Sequence, residues 1–146
     1  LNRESFVHFR NDLMRSGKAV SCGIVAGDIN DLKQLNRDYG QSRGDMTIKE
    51  AASVMSSSFA GASIFRLSGD EFIIVYPNIC EEIFLKKIED ARNSMRERRV
   101  SISVGAVWRK SSDDLEEMLK AADQLMYVEK EQYHQRIADQ QEGNVI

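Results

Sequence analysis

The spacing of apolar residues along this chain switches repeatedly between two periods. Phe6, Phe9 and Leu13 recur at helical spacing and predict an amphipathic helix over 2–16. The apolar run Cys22-Gly23-Ile24-Val25-Ala26-Gly27 predicts a strand over 20–27. Gly44-Asp45 then opens a helix whose Ile48, Ala51, Ala52, Met55 and Phe59 form one stripe. Strands follow at 63–67 and 72–76, on either side of a short acidic turn. Asn78 with Glu81 three residues on has the form of a capping box for a helix with Phe84, Ile88, Ala91 and Met95 inward. A strand over 100–108 sets Val100, Ile102, Val104 and Ala106 on one side. Ser112 caps a last helix whose inward residues are Leu115, Met118, Leu119, Ala122, Leu125 and Met126. The order βαββαβ, with extra helices at both ends, predicts an α+β fold on a mainly antiparallel sheet.

Composition narrows this picture only a little. At 146 residues the chain is one domain able to bury a full core, and its single proline, Pro77, marks no internal boundary. A net charge of −3 carries no electrostatic footprint for nucleic acid and no polybasic patch for a membrane. No apolar stretch approaches the roughly 20 residues of a membrane helix, and no signal peptide is visible. Cys22 and Cys80 lack metal-ligand spacing and read as reduced, buried thiols of a cytoplasmic domain. Residues 1–137 are expected to form the domain, and the polar stretch 138–146 a tail or the start of a linker.

The chemistry concentrates in the acidic turn. Asp70 and Glu71 sit side by side on the tip of a hairpin between apolar strands, where their charges repel. A divalent cation relieves that repulsion and recruits phosphate. Asp28 ends the first strand in a comparable place. Taken singly, each has an ordinary reading: a strand-end Asp is usually a turn or capping residue, and Gly/Asp-rich hairpin turns are common. A strand-end Asp facing an acidic hairpin is the layout of a nucleotidyl-transfer palm.

Ser68-Gly69-Asp70-Glu71-Phe72 resembles the GGDEF motif of diguanylate cyclases, with Ser in the first position. Asp28-Ile29-Asn30-Asp31-Leu32-Lys33-Gln34-Leu35-Asn36, then Gly40 and Gly44-Asp45, is similar to that family's upstream pattern D-x-D-x-F-K-x-x-N-D-x-x-G-H-x-x-G-D. Ser101-Ile102-Ser103-Val104-Gly105 resembles its closing strand, and Ala122-Asp123-Gln124-Leu125-Met126-Tyr127-Val128-Glu129-Lys130 its final helix. Leu1-Asn2-Arg3 looks like the end of an opening motif, as if the chain were cut from something longer. Four blocks in register over nearly the whole chain make the resemblance specific. It implies a ferredoxin-like, nucleotidyl-cyclase palm.

The resemblance further implies condensation of two GTP into cyclic di-GMP and pyrophosphate. It assigns Mg²⁺, with Mn²⁺ as a substitute, to Asp28, the carbonyl of Ile29, Asp70 and Glu71. Asp70, Glu71 and Lys33 become the catalytic set. Lys33 and Lys130 would meet phosphate, although an isolated lysine is ordinarily a solvated surface residue. Asn36 and Asp45 would read guanine, a carboxylate accepting from N1–H and the exocyclic amine. An N-cap at the next helix is the rival role for Asp45. Gln41, Ser68 and Gly69 complete the substrate contacts. Because one domain holds one GTP, the reaction implies a two-fold homodimer, with attached sensor or effector domains outside this chain and a parent that can be membrane-anchored.

Departures from the family pattern set up a rival. Ser68 replaces Gly, Asp31 an aromatic residue, Arg37 an Asp and Gln41 a His; Leu32 keeps only bulk; Tyr133-His134 stands where Gly-Arg is usual. A degenerate module that binds GTP or dimerises, and regulates an attached domain without catalysis, is the alternative. A cyclase with altered base choice is more distant, since Asp45 supplies the acceptor guanine needs. The family's inhibitory R-x-x-D motif falls on Phe59-Ala60-Gly61-Ala62, so no product inhibition through it is expected.

Overall fold

Strand β1 (Cys22–Ile29) is buried along almost its whole length, so it can only lie inside a sheet covered on both faces. In the computed structural model, which describes residues 2–15 and 20–143, it does. Expectations for Leu1, Ser16 and residues 144–146, and for the side chain of Leu13, lie outside the described residues. β1 pairs antiparallel with β3 (Glu71–Pro77) on one side and with β4 (Ile102–Arg109) on the other. β2 (Ser63–Arg66) joins the far edge of β3, giving the order β2-β3-β1-β4. This is the ferredoxin-like, mainly antiparallel palm expected from the chain order.

Alternation along the strands divides the core in two. Val25, Ile29, Phe72 and Ile74 point to the face covered by α3 (Gln41–Ser58) and α4 (Glu81–Glu97). Ile24, Ala26, Ile73, Val75 and Val107 point to the opposite face. There α1 (Arg3–Arg15) and α5 (Leu115–Gly143) pack, with Phe6 and Phe9 against the ring of Phe65 at 5.2 and 5.4 Å. Phe65 and Phe84 are fully buried; each large apolar side chain so removed from water contributes about 1.5–3 kcal/mol. Gly105 lets α5 lie directly on β4: a Cβ there would stand 2.0 Å from the carbonyl oxygen of Ala122. That close crossing fixes where the later turns of α5 pass the end of the sheet.

Local expectations were corrected at several ends. A short helix, α2 (Leu32–Tyr39), occupies a stretch for which the pattern predicted no element, because eight residues are too few to display a period. Gly40, at φ 90°, separates it from α3, which begins at Gln41 rather than at Gly44-Asp45. Asp45 is therefore inside α3 and exposed, not its N-cap. Asn78 takes a left-handed backbone (φ 57°) and forms no capping box; α4 starts at Glu81 with Cys80 before it. Asp114, not Ser112, caps α5, its Oδ1 accepting from the amide of Glu117 at 3.0 Å. Ser112 instead accepts from the amide of Val20. Leu125 is exposed, and Val54 is buried in the α3 stripe. Cys80 is exposed; only Cys22 is the buried thiol expected, and burial pushes its pKa up to about 11. α5 continues through 138–143 as helix.

Candidate active site

Register brings the three acids to one end of the sheet. Asp28 and Glu71 are paired positions of β1 and β3, and the amide of Ile29 donates to the carbonyl of Asp70 at 2.9 Å. The strand-end Asp28, the backbone of Ile29 and the hairpin acids are thus neighbours. The turn that carries Asp70 is braced by Arg66, which donates to the carbonyls of Ser68 (3.2 Å) and Gly69 (2.9 Å). Ser68 has no left-handed backbone, and its hydroxyl donates to Asp70 Oδ1 at 3.3 Å. Open space surrounds the Cα of Gly69. Ser in the first motif position is accommodated without backbone strain.

Burial without full charge compensation marks these acids. The Asp28 carboxyl is raised above the ordinary carboxylate range, first by desolvation and further by Asp70; Lys130 opposes the rise. Lys130 Nζ lies 2.8 Å from Asp28 Oδ1, yet that buried oxygen receives no well-directed hydrogen bond. We treat the contact as a charge pair and the oxygen as an acceptor still short of a partner. Glu71 is also raised, chiefly by desolvation, then by Asp123, Asp28 and Asp70, with Arg3 opposing. Asp123 of α5 and Arg3 of α1, remote from the hairpin in sequence, thereby influence a hairpin acid. Asp123 and Arg3 stand inside the matched sequence blocks, which gave neither a role, and no pattern singled out Arg66.

A metal would find an incomplete cage here. Among the described residues no three His, Cys, Asp or Glu side chains are grouped as metal ligands. Two close carboxylates, an unsatisfied buried oxygen and a neighbouring backbone suit a hard cation that keeps waters and takes phosphate oxygens as its remaining ligands. The ammonium of Lys130 stands in for part of that positive charge.

The other predicted contacts lie on α2 and α3. Lys33 occupies the first turn of α2 and Gln41 the first position of α3; both are exposed, as is Asp45. Among the described residues none of these three side chains has a hydrogen-bond or ion-pair partner. Asn36 packs on Gly44, where a Cβ would meet Asn36 Oδ1 at 1.8 Å, and that Oδ1 is buried without a donor. Glycine at 44 is what lets the two helices approach and leaves Asn36 an unused acceptor. Asn30, between Ile29 and Asp31, is buried and bonded to the hydroxyls of Ser101 (3.0 Å) and Ser103 (2.7 Å), anchoring the loop to β4.

An antiparallel palm with carboxylates gathered at a strand end and a hairpin tip defines the nucleotidyl-cyclase class of fold. Residues 1–136 match the family model described as diguanylate cyclase, GGDEF domain. The chain belongs to the GGDEF domain family. It is 32% identical over 116 residues to the diguanylate cyclase DgcS of Shewanella oneidensis, covering 75% of this chain and 39% of that protein. To the diguanylate cyclase VdcA of Vibrio cholerae it is 30% identical, over 86% of this chain and 40% of that protein. To the diguanylate cyclase DosC of Escherichia coli K12 it is 25% identical, over 84% of this chain and 29% of that protein. The chain thus spans between 29% and 40% of the length of these relatives. Among solved structures, the GGDEF domain of DgcB from Caulobacter crescentus in complex with c-di-GMP superimposes with TM-score 0.75 at 22% identity, covering 89% of this chain and 85% of that one. SiaD of Pseudomonas aeruginosa, in complex with its activator SiaC, superimposes with TM-score 0.77 at 22% identity, over 90% and 55%. At these identities the superpositions show the fold.

Proposed function

We propose that this domain is a diguanylate cyclase, joining two GTP molecules into cyclic di-GMP with release of two pyrophosphates. The observation that carries the reading is the convergence of Asp28, Asp70 and Glu71 at one sheet end, with the ammonium of Lys130 on Asp28. In each half-reaction the ribose 3′-oxygen of one GTP bonds to the α-phosphorus of the other, the α–β bridging P–O bond breaks, and pyrophosphate departs. The hydroxyl proton passes to a hairpin carboxylate. Glu71 suits that role, because desolvation and neighbouring acids raise its proton affinity toward the working range of a general base.

Asp28, Asp70 and the Ile29 carbonyl would hold Mg²⁺, Glu71 adding a ligand, and Mn²⁺ would substitute. The bound ion supplies Lewis-acid polarisation of the α-phosphate. Lys33 and Lys130 neutralise phosphate charge; Asn36 and Asp45 select guanine, and Gln41, Ser68 and Gly69 line the path of the nucleotide. A single domain binds one GTP, so turnover requires a two-fold pair of domains. The turn Phe59-Ala60-Gly61-Ala62 offers no charged side chain, and Tyr76 closes it by donating to the carbonyl of Ala60 at 2.8 Å, so feedback through an R-x-x-D site is not expected. A reaction that consumes GTP places the domain in the cytoplasm in this reading.

The test is product formation from GTP and Mg²⁺, separated by chromatography, at high protein concentration or with the domain fused to a dimerising coiled coil. Cyclic di-GMP that disappears in Glu71→Gln supports the cyclase. GTP binding without product would move the domain to a regulatory, non-catalytic role.

A further inference from the structure

We infer that Asp31, Tyr133 and His134 form a clasp through which the distal turns of α5 position the loop carrying Asp28 to Lys33, making Tyr133 a positioning residue of the site. The inference rests on the cyclase reading for its consequence, not for the contact itself. The Tyr133 hydroxyl donates to Asp31 Oδ2 at 2.7 Å across a separation of 102 residues. His134 Nε2 lies 3.8 Å from the other oxygen, Asp31 Oδ1. Residues 31 and 133–134, far apart in the sequence, thus meet in one interaction.

Asp31 holds a left-handed backbone (φ 54°, ψ 34°) just before α2, yet its side chain caps nothing in that helix. Aspartate is among the few non-glycine residues that adopt this conformation readily, usually with its side chain bonded locally. Here the carboxylate is given to α5 instead. Asn30, next to it, is tied to Ser101 and Ser103, so the loop has one anchor on β4 and a second on α5. Burial in part, and donation to Asp31, both favour the protonated phenol of Tyr133.

Packing does not duplicate the second anchor. Between α2 and the end of α5 runs an open cleft of about 340 Å³, walled by Leu35 and Tyr39 on one side and Tyr133 and Ile137 on the other. Asp31 and Tyr133, which form the polar bridge, both line this cleft. On α5, Lys130 and Tyr133 are three residues apart and share a face; they touch Asp28 and Asp31, also three apart. A shift of α5 moves the proposed metal acid and the start of α2, with Lys33 and Asn36, together. α5 also continues to Gly143, past the residues that match the family, so its far end is placed to transmit such a shift.

The test compares Tyr133→Phe, Asp31→Asn and the double variant, each nearly isosteric with the parent. Amide hydrogen exchange of Leu32 to Leu35 is read without any ligand, and affinity for GTP with Mg²⁺ by calorimetry. A hydrogen bond to an ionised partner supports an effect of roughly tenfold. Tyr133→Phe should speed exchange about that much and weaken GTP binding similarly, raising KM more than it lowers kcat; Asp31→Asn, whose amide oxygen still accepts from the phenol without the charge, should do so less. The double variant should be no worse than Tyr133→Phe. Unchanged exchange in Tyr133→Phe, or effects that multiply in the double variant, would overturn the clasp. If the parent domain binds no GTP, the cyclase reading falls, while the exchange data still decide the clasp.

Discussion

Lys130 Nζ and Asp28 Oδ1 stand 2.8 Å apart, joining the fifth turn of α5 to the end of the central strand. Both are largely shielded, with side-chain exposures of 24% and 18%. The lysine therefore occupies charge space that a divalent cation would otherwise command. Lys130→Met should show two opposite effects: tighter binding of Mn²⁺ alone, followed by electron paramagnetic resonance, and weaker binding of GTP. Weaker Mn²⁺ binding in the variant would show that Lys130 organises the acids rather than competing for them.

The acid cluster should weaken the fold at neutral pH. Asp28 and Glu71 hold protons more tightly in the folded chain than ordinary carboxylates do. Raised values mean that the contribution of these two groups to stability is greatest below the unfolded carboxylate range, near pH 4, and is lost as pH rises through the folded values. Asp70→Asn removes one repulsive neighbour from each. Its melting temperature at pH 7 and low salt should rise by a few degrees while product formation is lost. Added Mg²⁺ should raise the melting temperature of the parent and leave that of the variant nearly still.

Glu71→Gln should lower kcat by about 10²–10⁴, the usual worth of a general base, with a melting temperature at pH 7 no lower than the parent's, since the change also removes a charge from the repulsive cluster. Asp123→Asn acts at one remove. Asp123 is, after desolvation, the largest influence raising Glu71. The acidic limb of the pH–rate profile should accordingly move to lower pH in Asp123→Asn. A limb that stays in place would separate Glu71 from the proton transfer.

Asp45→Ala discriminates base recognition from capping. Losing an N-cap costs about 0.5–2 kcal/mol of stability, but Asp45 lies in the body of α3 and caps nothing. The variant should melt like the parent and lose affinity for GTP more than for ATP, measured by calorimetry. Equal losses for the two nucleotides would remove Asp45 from guanine recognition.

Gly105→Val tests how α5 is seated. With a Cβ 2.0 Å from the Ala122 carbonyl and 2.3 Å from the Met126 amide nitrogen, the helix must move away from β4. Overpacking of this kind costs about 1–3 kcal/mol, and chemical denaturation would measure it. Displacement of α5 should also release Lys130 from Asp28, so GTP affinity falls with stability.

Most of the architecture was legible in the sequence because it follows from short-range periodicity. Continuous apolar runs in β1 and β3 demand cover on both faces of the sheet, the stripes Phe84-Ile88-Ala91-Met95 and Ala51-Met55-Phe59 specify which helix faces must be buried, and one sheet with helices on both faces buries them all. The hairpin acids were legible too, since a turn between two apolar strands leaves its tip nowhere else to go. Boundaries were less so: α2 is too short to show a period, and the caps at 78 and 112 depended on where the chain turns to meet Ser21 and Val20. Tertiary structure alone decided the partners of the loop after β1. The Lys130–Asp28 and Tyr133–Asp31 contacts join residues 102 apart in the chain, and they form because Gly105 lets α5 run flat along β4. Local pattern says which residues are buried; which charges meet at the end of the sheet is set by how closely one helix crosses one strand.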